Sequence, residues 1–232
     1  MRSHARRWRP SSRDRSKARV NTILQTIWDG LTTARPLDQV NLVLGIAGVV
    51  LMVRRSLWAF PVGLAAVAVQ AKLFWAATFY ADARLQGFFF VLLAYGWWHW
   101  VRHKGAAPEL PVTKLGWPAR FGYFAAATAL TLAWGAWQQA HNNAAMPYRD
   151  AFIASFSMAA QILQVRKNVE NWPVWVAVNV VAIAAYWSAD LAYTAFLYAI
   201  YLVLAFAGWR EWARTMRAEK TAATRTREAV SA

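Results

Sequence analysis

The sequence predicts an all-α integral membrane protein whose seven transmembrane helices form a 3+1+3 arrangement, two parallel three-helix repeats joined by a linking helix. The first observation behind this prediction is composition. Of the 232 residues, 58% are hydrophobic and only 16% are charged, compared with about 25% charged residues in soluble domains. The charges cluster near the termini and in short stretches, so the apolar segments between them allow about seven spans of ~20 residues.

The second observation is an internal repeat, in which the segment that begins at residue 54 recurs from residue 166. A shift of 112 positions, without a gap, superimposes a basic pair, a proline, a tryptophan and a closing Gly-Trp-x-x-Trp motif. The matched residues are Arg54 with Arg166, Arg55 with Lys167, Pro61 with Pro173, Trp75 with Trp187, Gly96 with Gly208, Trp97 with Trp209, and Trp100 with Trp212. A single linking helix makes both repeats cross in the same direction, an arrangement typical of transporters that hold a ligand between two halves.

The hydropathy pattern divides the chain into six parts. These are a disordered basic tail at 1–19, an interfacial amphipathic helix at 20–36, the first repeat at 37–104, a loop and linking transmembrane helix at 105–140, the second repeat at 141–214, and a basic C-terminal tail at 215–232. The predicted spans are 38–53, 57–79, 84–101, 119–138, 147–165, 171–188 and 190–209. The interfacial helix has an apolar stripe but is too short and too polar to span a bilayer.

The net charge of +15 indicates membrane topology and a lipid bilayer as partner. It does not indicate a nucleic acid, because the basic residues lie in tails and loops and not on one folded face. One set of loops carries Arg54, Arg55, Arg102, Lys104, Lys114, Arg120, Arg166, Lys167, Arg210, Arg214 and Arg217. The positive-inside rule places this side and the C-terminus in the cytoplasm, in a multi-pass protein of the cell's inner membrane. Seven spans then put the N-terminus outside, which conflicts with its Arg-rich tail.

The sequence lacks the residues and motifs of common enzyme classes. It has no cysteine, which excludes disulfides and thiol chemistry, and it has no Walker loop, nucleophile elbow or dinucleotide fingerprint. His99 and His103 are spaced i, i+4, but Arg102 and Lys104 beside them disfavour a metal cation. We therefore predict no catalytic residue, no metal and no cofactor. The alternative from another class is a membrane-embedded enzyme that uses these histidines or Asp150.

Polar residues at membrane depth in the second repeat indicate a binding site. Trp172, Trp175 and Asn179 are spaced i, i+3 and i+7, so they share one face of the sixth span. The tryptophans alone could belong to the interfacial aromatic belt. Asn179, however, lies about two turns deeper, where an unpaired amide is costly.

Further polar residues line the fifth and second spans. The fifth span carries a polar face, for which helix–helix packing is the alternative role. Its members are Asp150, Ser157, Gln161 and Gln164. Gln70 interrupts the second span and is another candidate for ligand contact. We interpret both Gly-Trp-x-x-Trp motifs as belt residues, because each ends a span beside predicted cytoplasmic charges. Tryptophan faces and neutral amides, without arginine at depth, favour a planar aromatic ligand that is neutral or cationic and carries hydroxyl groups.

The Glu-x-Trp-x-x-Trp-x-x-x-Asn motif of residues 170–179 resembles the signature of the nicotinamide riboside transporter (PnuC) family. The Tyr-Gly-Trp-Trp-x-Trp motif of 95–100 and the Pro-x-x-Asp motif of 147–150 resemble that family too, and the similarity covers roughly 38–214. The resemblance implies a fold like that of full-length SWEET sugar transporters, and a homo-oligomer such as a trimer. It also implies facilitated diffusion of nicotinamide riboside, made unidirectional by phosphorylation inside the cell.

The same resemblance implies ligand contacts at particular positions of this chain. They are Gln161, Glu170, Trp172, Trp175 and Asn179. The amide that the family often carries near position 66 is absent, since residues 65–67 are Ala-Ala-Val. Relatives that carry thiamine or riboflavin share the fold, so these two vitamins are the alternative substrates.

Overall fold

The computed structural model describes residues 12–33, 35–78, 80–105, 107, 109–141 and 145–231. This part of the chain is all-α, as predicted. Its helices are α1 (Ser12–Thr32), α2 (Pro36–Val53), α3 (Ala59–Ala76), α4 (Tyr80–Arg102), α5 (Trp117–His141), α6 (Pro147–Val165), α7 (Asn171–Ser188) and α8 (Ala192–Ser231). Three stretches are long and apolar enough to cross a membrane, namely α2, α3 and Ala192–Thr224 of α8.

The helix boundaries follow the predicted spans closely in the centre of the chain and depart from them at the ends. Helices α6 and α7 coincide with the predicted segments, and α2 to α5 differ from theirs by at most four residues. Helix α8 continues to Ser231, so the basic C-terminal tail is helical. Residues 12–19, for which we expected disorder, begin α1, where arginine, lysine and alanine have high helix propensity. Residues 1–11 lie outside the described part.

The repeat found in the sequence is also present in the backbone. The shift of 112 positions carries α3 onto α7 residue for residue. It also relates the non-glycine residues with positive φ: Arg55 (57°) corresponds to Lys167 (58°), and Thr78 (65°) to Asp190 (57°). Left-handed backbone is uncommon for such residues. Their matching positions therefore show that both repeats use the same two turns between helices.

The two repeats meet through equivalent interfaces. Within each repeat the helices pack in chain order, with α3 between α2 and α4, and α7 between α6 and α8. Between the repeats, α2 contacts α8 and α4 contacts α6. These interfaces are equivalent because the repeat relates α2 to α6 and α4 to α8. Helix α5 packs on α6, and α1 packs on α8.

An aromatic core fills the junction of the repeats. It includes two tryptophans that the sequence pattern assigns to the interfacial aromatic belt. Trp100 and Trp212, the last residues of the two Gly-Trp-x-x-Trp motifs, expose only 2% and 0% of their surface, so assigning them to the interfacial belt was wrong. Each donates its indole N–H across the junction and so has a partner inside the protein. Trp97 and Trp209, which face outwards, are exposed.

Candidate functional site

A cavity of about 270 Å³ lies between the two repeats, next to the aromatic core. Its volume is near the lower end of the roughly 300–1,000 Å³ typical of small-molecule sites. The lining comes from α2, α3 and α4 of the first repeat and from α6, α7 and α8 of the second. This is the position expected for a ligand held between two halves.

The two walls of this cavity differ in chemistry. The second repeat contributes the polar side chains, which are Gln161, Gln164, Trp172, Trp175, Asn179, Tyr198 and Tyr201. The first repeat contributes only glycine and apolar residues: Leu44, Gly45, Gly48, Val49, Met52, Ala59, Gly63, Ala66, Val67, Phe89 and Leu93. At the positions equivalent to Gln161, Trp175 and Asn179, the first repeat has valine, glycine and valine. The hydrogen-bonding groups of the cavity therefore all come from one repeat.

Two of the cavity-lining residues carry buried polar atoms that lack a hydrogen-bond partner among the described residues. These atoms are Nε2 of Gln161 and Nε1 of Trp172. Buried donors are nearly always paired in native proteins, and leaving one unpaired costs about 1–3 kcal/mol. Their presence on the polar wall is the feature expected of a site that binds a hydrogen-bond acceptor.

The two tryptophans of the predicted stripe have different surroundings. Trp172 is buried, and its ring meets that of Trp212 edge-on with centroids 5.4 Å apart. Trp175 is only partly buried, and its Nε1 donates to Oε1 of Gln164 at 2.8 Å. That bond holds the indole in one orientation, so Trp175 provides the more accessible aromatic face. Asn179 also lines the cavity, one turn further along α7.

No charged side chain lines this cavity in the described part of the chain. An anionic group such as phosphate would lose its hydration there without gaining a basic partner. The lining therefore favours a neutral ligand or one with a single delocalised positive charge, which an indole face attracts.

Glu170 was predicted as a ligand contact, but the structure places it outside the cavity. Its Oε1 accepts hydrogen bonds from Nη2 of Arg120 at 2.6 Å and from the backbone N–H of Leu115 at 3.1 Å. These partners belong to the start of α5 and the loop before it. The carboxylate thus joins α5 and the loop before it to the second repeat.

The other predicted contacts also lie elsewhere. Asp150 is in the first turn of α6 and pairs with Arg149 at 3.1 Å. Ser157 is buried in α6 but does not line the cavity. The side chain of Gln70 accepts a hydrogen bond from Asn41. Of the nine residues that the sequence offers as candidates, the cavity brings together Gln161, Gln164, Trp172, Trp175 and Asn179.

Two tyrosines of α8 were missed by the sequence analysis. Tyr198 and Tyr201 line the cavity, and their rings meet edge-on with centroids 6.1 Å apart. Their spacing of i, i+3 in an otherwise apolar span was the available signal, because it puts two hydroxyl groups on one helix face at depth.

A charged network closes the basic end of the junction, which we define as the end formed by the turns 54–58 and 166–170 and the loop residues 109–116. Lys167 is fully buried, and its Nζ donates to Oε2 of Glu109 at 3.0 Å and lies 4.4 Å from the ring centre of Trp100. Arg55, the repeat equivalent of Lys167, donates to Glu109 at 3.3 Å and to Glu211 at 3.2 Å. The network joins both repeats and the loop between them.

For each of the two central groups of this network, Lys167 and Glu109, burial shifts the pKa in one direction and the charge of the other group shifts it in the opposite direction. Burial lowers the pKa of Lys167, and the hydrogen bond and charge of Glu109 only partly oppose that. For Glu109, burial acts to raise the pKa, but the hydrogen bonds and charges of Lys167 and Arg55 outweigh it and hold the pKa below its usual range. The sequence pattern predicts an exposed loop charge at Lys167, whereas the structure shows a buried one.

Two sequence-related three-helix repeats with a cavity between them, in an apolar all-α chain, are the features of a membrane transporter. The chain belongs to the nicotinamide mononucleotide transporter family, whose model matches residues 35–214. It is 30% identical over 178 residues to the riboflavin/roseoflavin transporter RibM of Streptomyces davaonensis, an alignment that covers 75% of this chain and 83% of RibM.

Two further comparisons concern proteins named PnuC. The chain is 27% identical over 180 residues to the nicotinamide riboside transporter PnuC of Escherichia coli, covering 67% of this chain and 75% of that protein. Its fold is similar to the crystal structure of the vitamin B3 transporter PnuC, with a TM-score of 0.67 at 19% sequence identity. That similarity covers 90% of this chain and 94% of the solved one.

Proposed function

We propose that this protein carries nicotinamide riboside across the membrane and binds it in the cavity between the repeats. The observation that carries this proposal is the polar wall of amides, indoles and tyrosine hydroxyls, which in the described part of the chain contains no charged side chain. Nicotinamide riboside has a pyridinium ring with one positive charge, a carboxamide and a ribose with hydroxyl groups. Each of these parts has a complement on the wall.

The assignment of ligand groups to residues follows from accessibility and hydrogen bonding. The pyridinium stacks on the face of Trp175, which Gln164 holds in place, and a cation–π contact of this kind is worth about 0.5–2 kcal/mol. Gln161 and Asn179 bond the carboxamide and the ribose hydroxyls. The unpaired Nε2 of Gln161 gains an acceptor on binding.

Riboflavin is the second candidate, because RibM, the relative aligned over the larger share of this chain, is named for it. Riboflavin has a three-ring aromatic system, larger than one pyridinium, and a cavity of about 270 Å³ favours the smaller ligand. Thiamine, which is also cationic, is a third candidate.

Calorimetric titration of the purified protein with these three vitamins and with nicotinamide mononucleotide tests the proposal. We expect nicotinamide riboside to bind most tightly and its phosphorylated form to bind much more weakly, since the lining has no basic side chain. Tighter binding of riboflavin or thiamine would reassign the substrate. Equal affinity for the riboside and the mononucleotide would contradict the proposal that the substrate binds in this uncharged cavity.

The mode of transport that these features support is facilitated diffusion, made unidirectional by phosphorylation of the substrate inside the cell. Proton-coupled carriers usually place an acid at membrane depth, and the described lining of the cavity contains none. Phosphorylated product would not re-enter an uncharged cavity, so it would accumulate.

The proposed topology has seven spans, α2 to α8, with α5 as the linking helix of a 3+1+3 arrangement. Helices α4 to α7 have 18–25 residues, close to the length needed for a hydrocarbon core of about 30 Å. The basic end and the C-terminus face the cytoplasm in an inner membrane, as the positive-inside rule requires. The protein assembles as a homo-oligomer such as a trimer.

A further inference from the structure

A second cavity, of about 550 Å³, lies at the basic end of the molecule and shares no lining residue with the first. It is formed by α5, α6, α7 and α8 together with the loop before α5. One part of its lining is basic and consists of Lys114, Arg120 and Arg217. Another part is apolar and includes Phe124, Ala127, Phe156, Ala159 and Leu163.

The basic and apolar parts lie at different depths along the helices. Arg120 is in the first turn of α5, and Ala127 is seven residues further along, which corresponds to about 10 Å of helix rise. Trp209 also lines the cavity, close to where α8 becomes rich in charged residues. A headgroup-sized basic region thus continues into a region suited to acyl chains.

The hydrogen-bonding groups of this cavity are only partly paired. Arg120 directs its Nε and Nη2 to Oε1 of Glu170, at 3.0 and 2.6 Å. Lys114 and Arg217 form no ion pair with any described residue. Oε2 of Glu170 is buried and has no hydrogen-bond partner in the described part of the chain. The cavity therefore presents two uncompensated cations and one acceptor.

We propose that this cavity binds an anionic phospholipid with a hydroxylated headgroup, of the phosphatidylglycerol type. The phosphate pairs with Lys114 and Arg217. A headgroup hydroxyl donates to Oε2 of Glu170, which neither the phosphodiester group nor a choline headgroup could do. The acyl chains lie along Phe124 and Phe156.

The lining favours a lipid over the two other occupants that such a cavity could take. A small soluble phosphate would fill only the basic part and leave the apolar side chains without contacts. A second copy of this chain that docked at this cavity would need acidic side chains opposite Lys114 and Arg217, and the chain has 11 acidic residues against 26 basic ones. A contact between copies is therefore favoured at other surfaces.

Native mass spectrometry of the purified full-length protein with added lipids tests the proposal. The cavity variant is Lys114→Gln/Arg217→Gln. The control is Arg210→Gln/Arg214→Gln, which removes the same charge at exposed positions of α8 outside the cavity. We expect wild type and control to retain phosphatidylglycerol about tenfold or more better than phosphatidylcholine, and the cavity variant to lose that preference.

Three results would overturn the proposal. The first is equal retention of phosphatidylglycerol by the cavity variant and the control. The second is competition by glycerol 3-phosphate as effective as that of the lipid, which would mean a soluble-anion site. The third is a change of oligomeric state in the cavity variant without a change in lipid binding, which would mean a protein interface. Unchanged thermal unfolding, followed by intrinsic fluorescence, checks that each variant is folded, since Lys114 and Arg217 are exposed and do not line the first cavity.

Discussion

Trp100 and Trp212, which occupy equivalent positions in the two repeats, lie 5.9 Å apart between ring centres, and each is tied to the opposite repeat. Nε1 of Trp100 donates to the carbonyl oxygen of Val165 at 2.9 Å, and Nε1 of Trp212 donates to that of Met52 at 3.1 Å. Both carbonyls belong to the last turn of the first helix of a repeat. These two reciprocal hydrogen bonds, which we call the tryptophan clasp, join the repeats at the basic end of the junction.

The packing behind this clasp predicts that Gly208→Ala destabilises the protein. An added Cβ would lie 2.4 Å from the ring of Trp172, and overpacking of this kind costs about 1–3 kcal/mol. Because Trp172 lines the cavity, the affinity for nicotinamide riboside should fall as well. Thermal unfolding followed by intrinsic fluorescence measures the first effect. Gly122→Ala is the matched control, since no heavy atom lies within 4 Å of its Cβ; a comparable loss in that variant would refute the packing explanation.

Glu109→Gln should destabilise the protein at neutral pH, by about 1.5–3 kcal/mol for the lost charged hydrogen bond to buried Lys167. The pKa of Glu109 is lowered in the folded protein, so the carboxylate contributes stability above its unfolded pKa, and that contribution disappears as the pH falls through the folded pKa.

The difference in Tm between Glu109→Gln and wild type should therefore shrink as the pH is lowered from about 7 to below about 4. Glu211→Gln is the control, because Glu211 is about as exposed as Glu109 and pairs with Arg55, but among the described residues it forms no ion pair with Lys167. A pH-independent difference, or an equal effect of the two substitutions, would show that the Lys167 pair does not stabilise the junction.

Gln161→Leu should weaken binding of the ligand without lowering the stability of the folded protein. The substitution removes a buried amide whose Nε2 has no partner in the described structure, so the ligand-free protein should unfold at the same temperature or higher. The affinity for nicotinamide riboside should fall about tenfold, as expected for one lost hydrogen bond. Reduced stability together with unchanged affinity would assign Gln161 to helix packing.

Trp175→Phe and Asn179→Leu should each weaken binding of nicotinamide riboside about tenfold or more. Phenylalanine is a weaker cation acceptor than indole, and it leaves Gln164 without its hydrogen bond. Trp209→Phe, at an exposed position outside the first cavity, is the control. Calorimetry gives the affinities, and gel filtration should show unchanged profiles. Wild-type affinity in both Trp175→Phe and Asn179→Leu would show that Trp175 is a residue of the interfacial aromatic belt and that Asn179 is a helix-packing residue.

Protein reconstituted in liposomes should equilibrate nicotinamide riboside without an ion gradient, because the described cavity lining has no aspartate or glutamate. The measurement is the internal concentration of labelled substrate at steady state, which should equal the external one. Accumulation above that level under an imposed pH or sodium gradient, with no kinase present, would contradict facilitated diffusion.

The sequence alone predicted the repeat and the helices, because both depend on local patterns. The shared register of 112 residues reappears in the positive φ values of Arg55 and Lys167, and the stripe of Trp172, Trp175 and Asn179 faces the cavity as its spacing required. These features follow from periodicity within one helix or from comparison of two segments.

What the sequence did not predict depends on contacts between distant segments. Trp212 looks like a belt residue because charged residues follow it, yet the opposite repeat supplies its acceptor 160 positions away. Glu170 resembles a ligand contact by motif, but its partner Arg120 comes from α5. Lys167 is interior only because the loop before α5 places Glu109 beside it. None of these contacts has a periodic signature.

The two walls of the first cavity differ in chemistry although the two repeats are related in sequence. One half carries every hydrogen-bonding group, while the other presents glycine, alanine and valine surfaces such as Gly63 and Val67. Substitutions in the apolar wall of the first repeat can therefore change the size and shape of the cavity while the hydrogen-bonding groups of the second repeat stay in place. In a family whose members are named for vitamins as different as riboflavin and nicotinamide riboside, such a split gives evolution a place to exchange one cargo for another while keeping the same carrier.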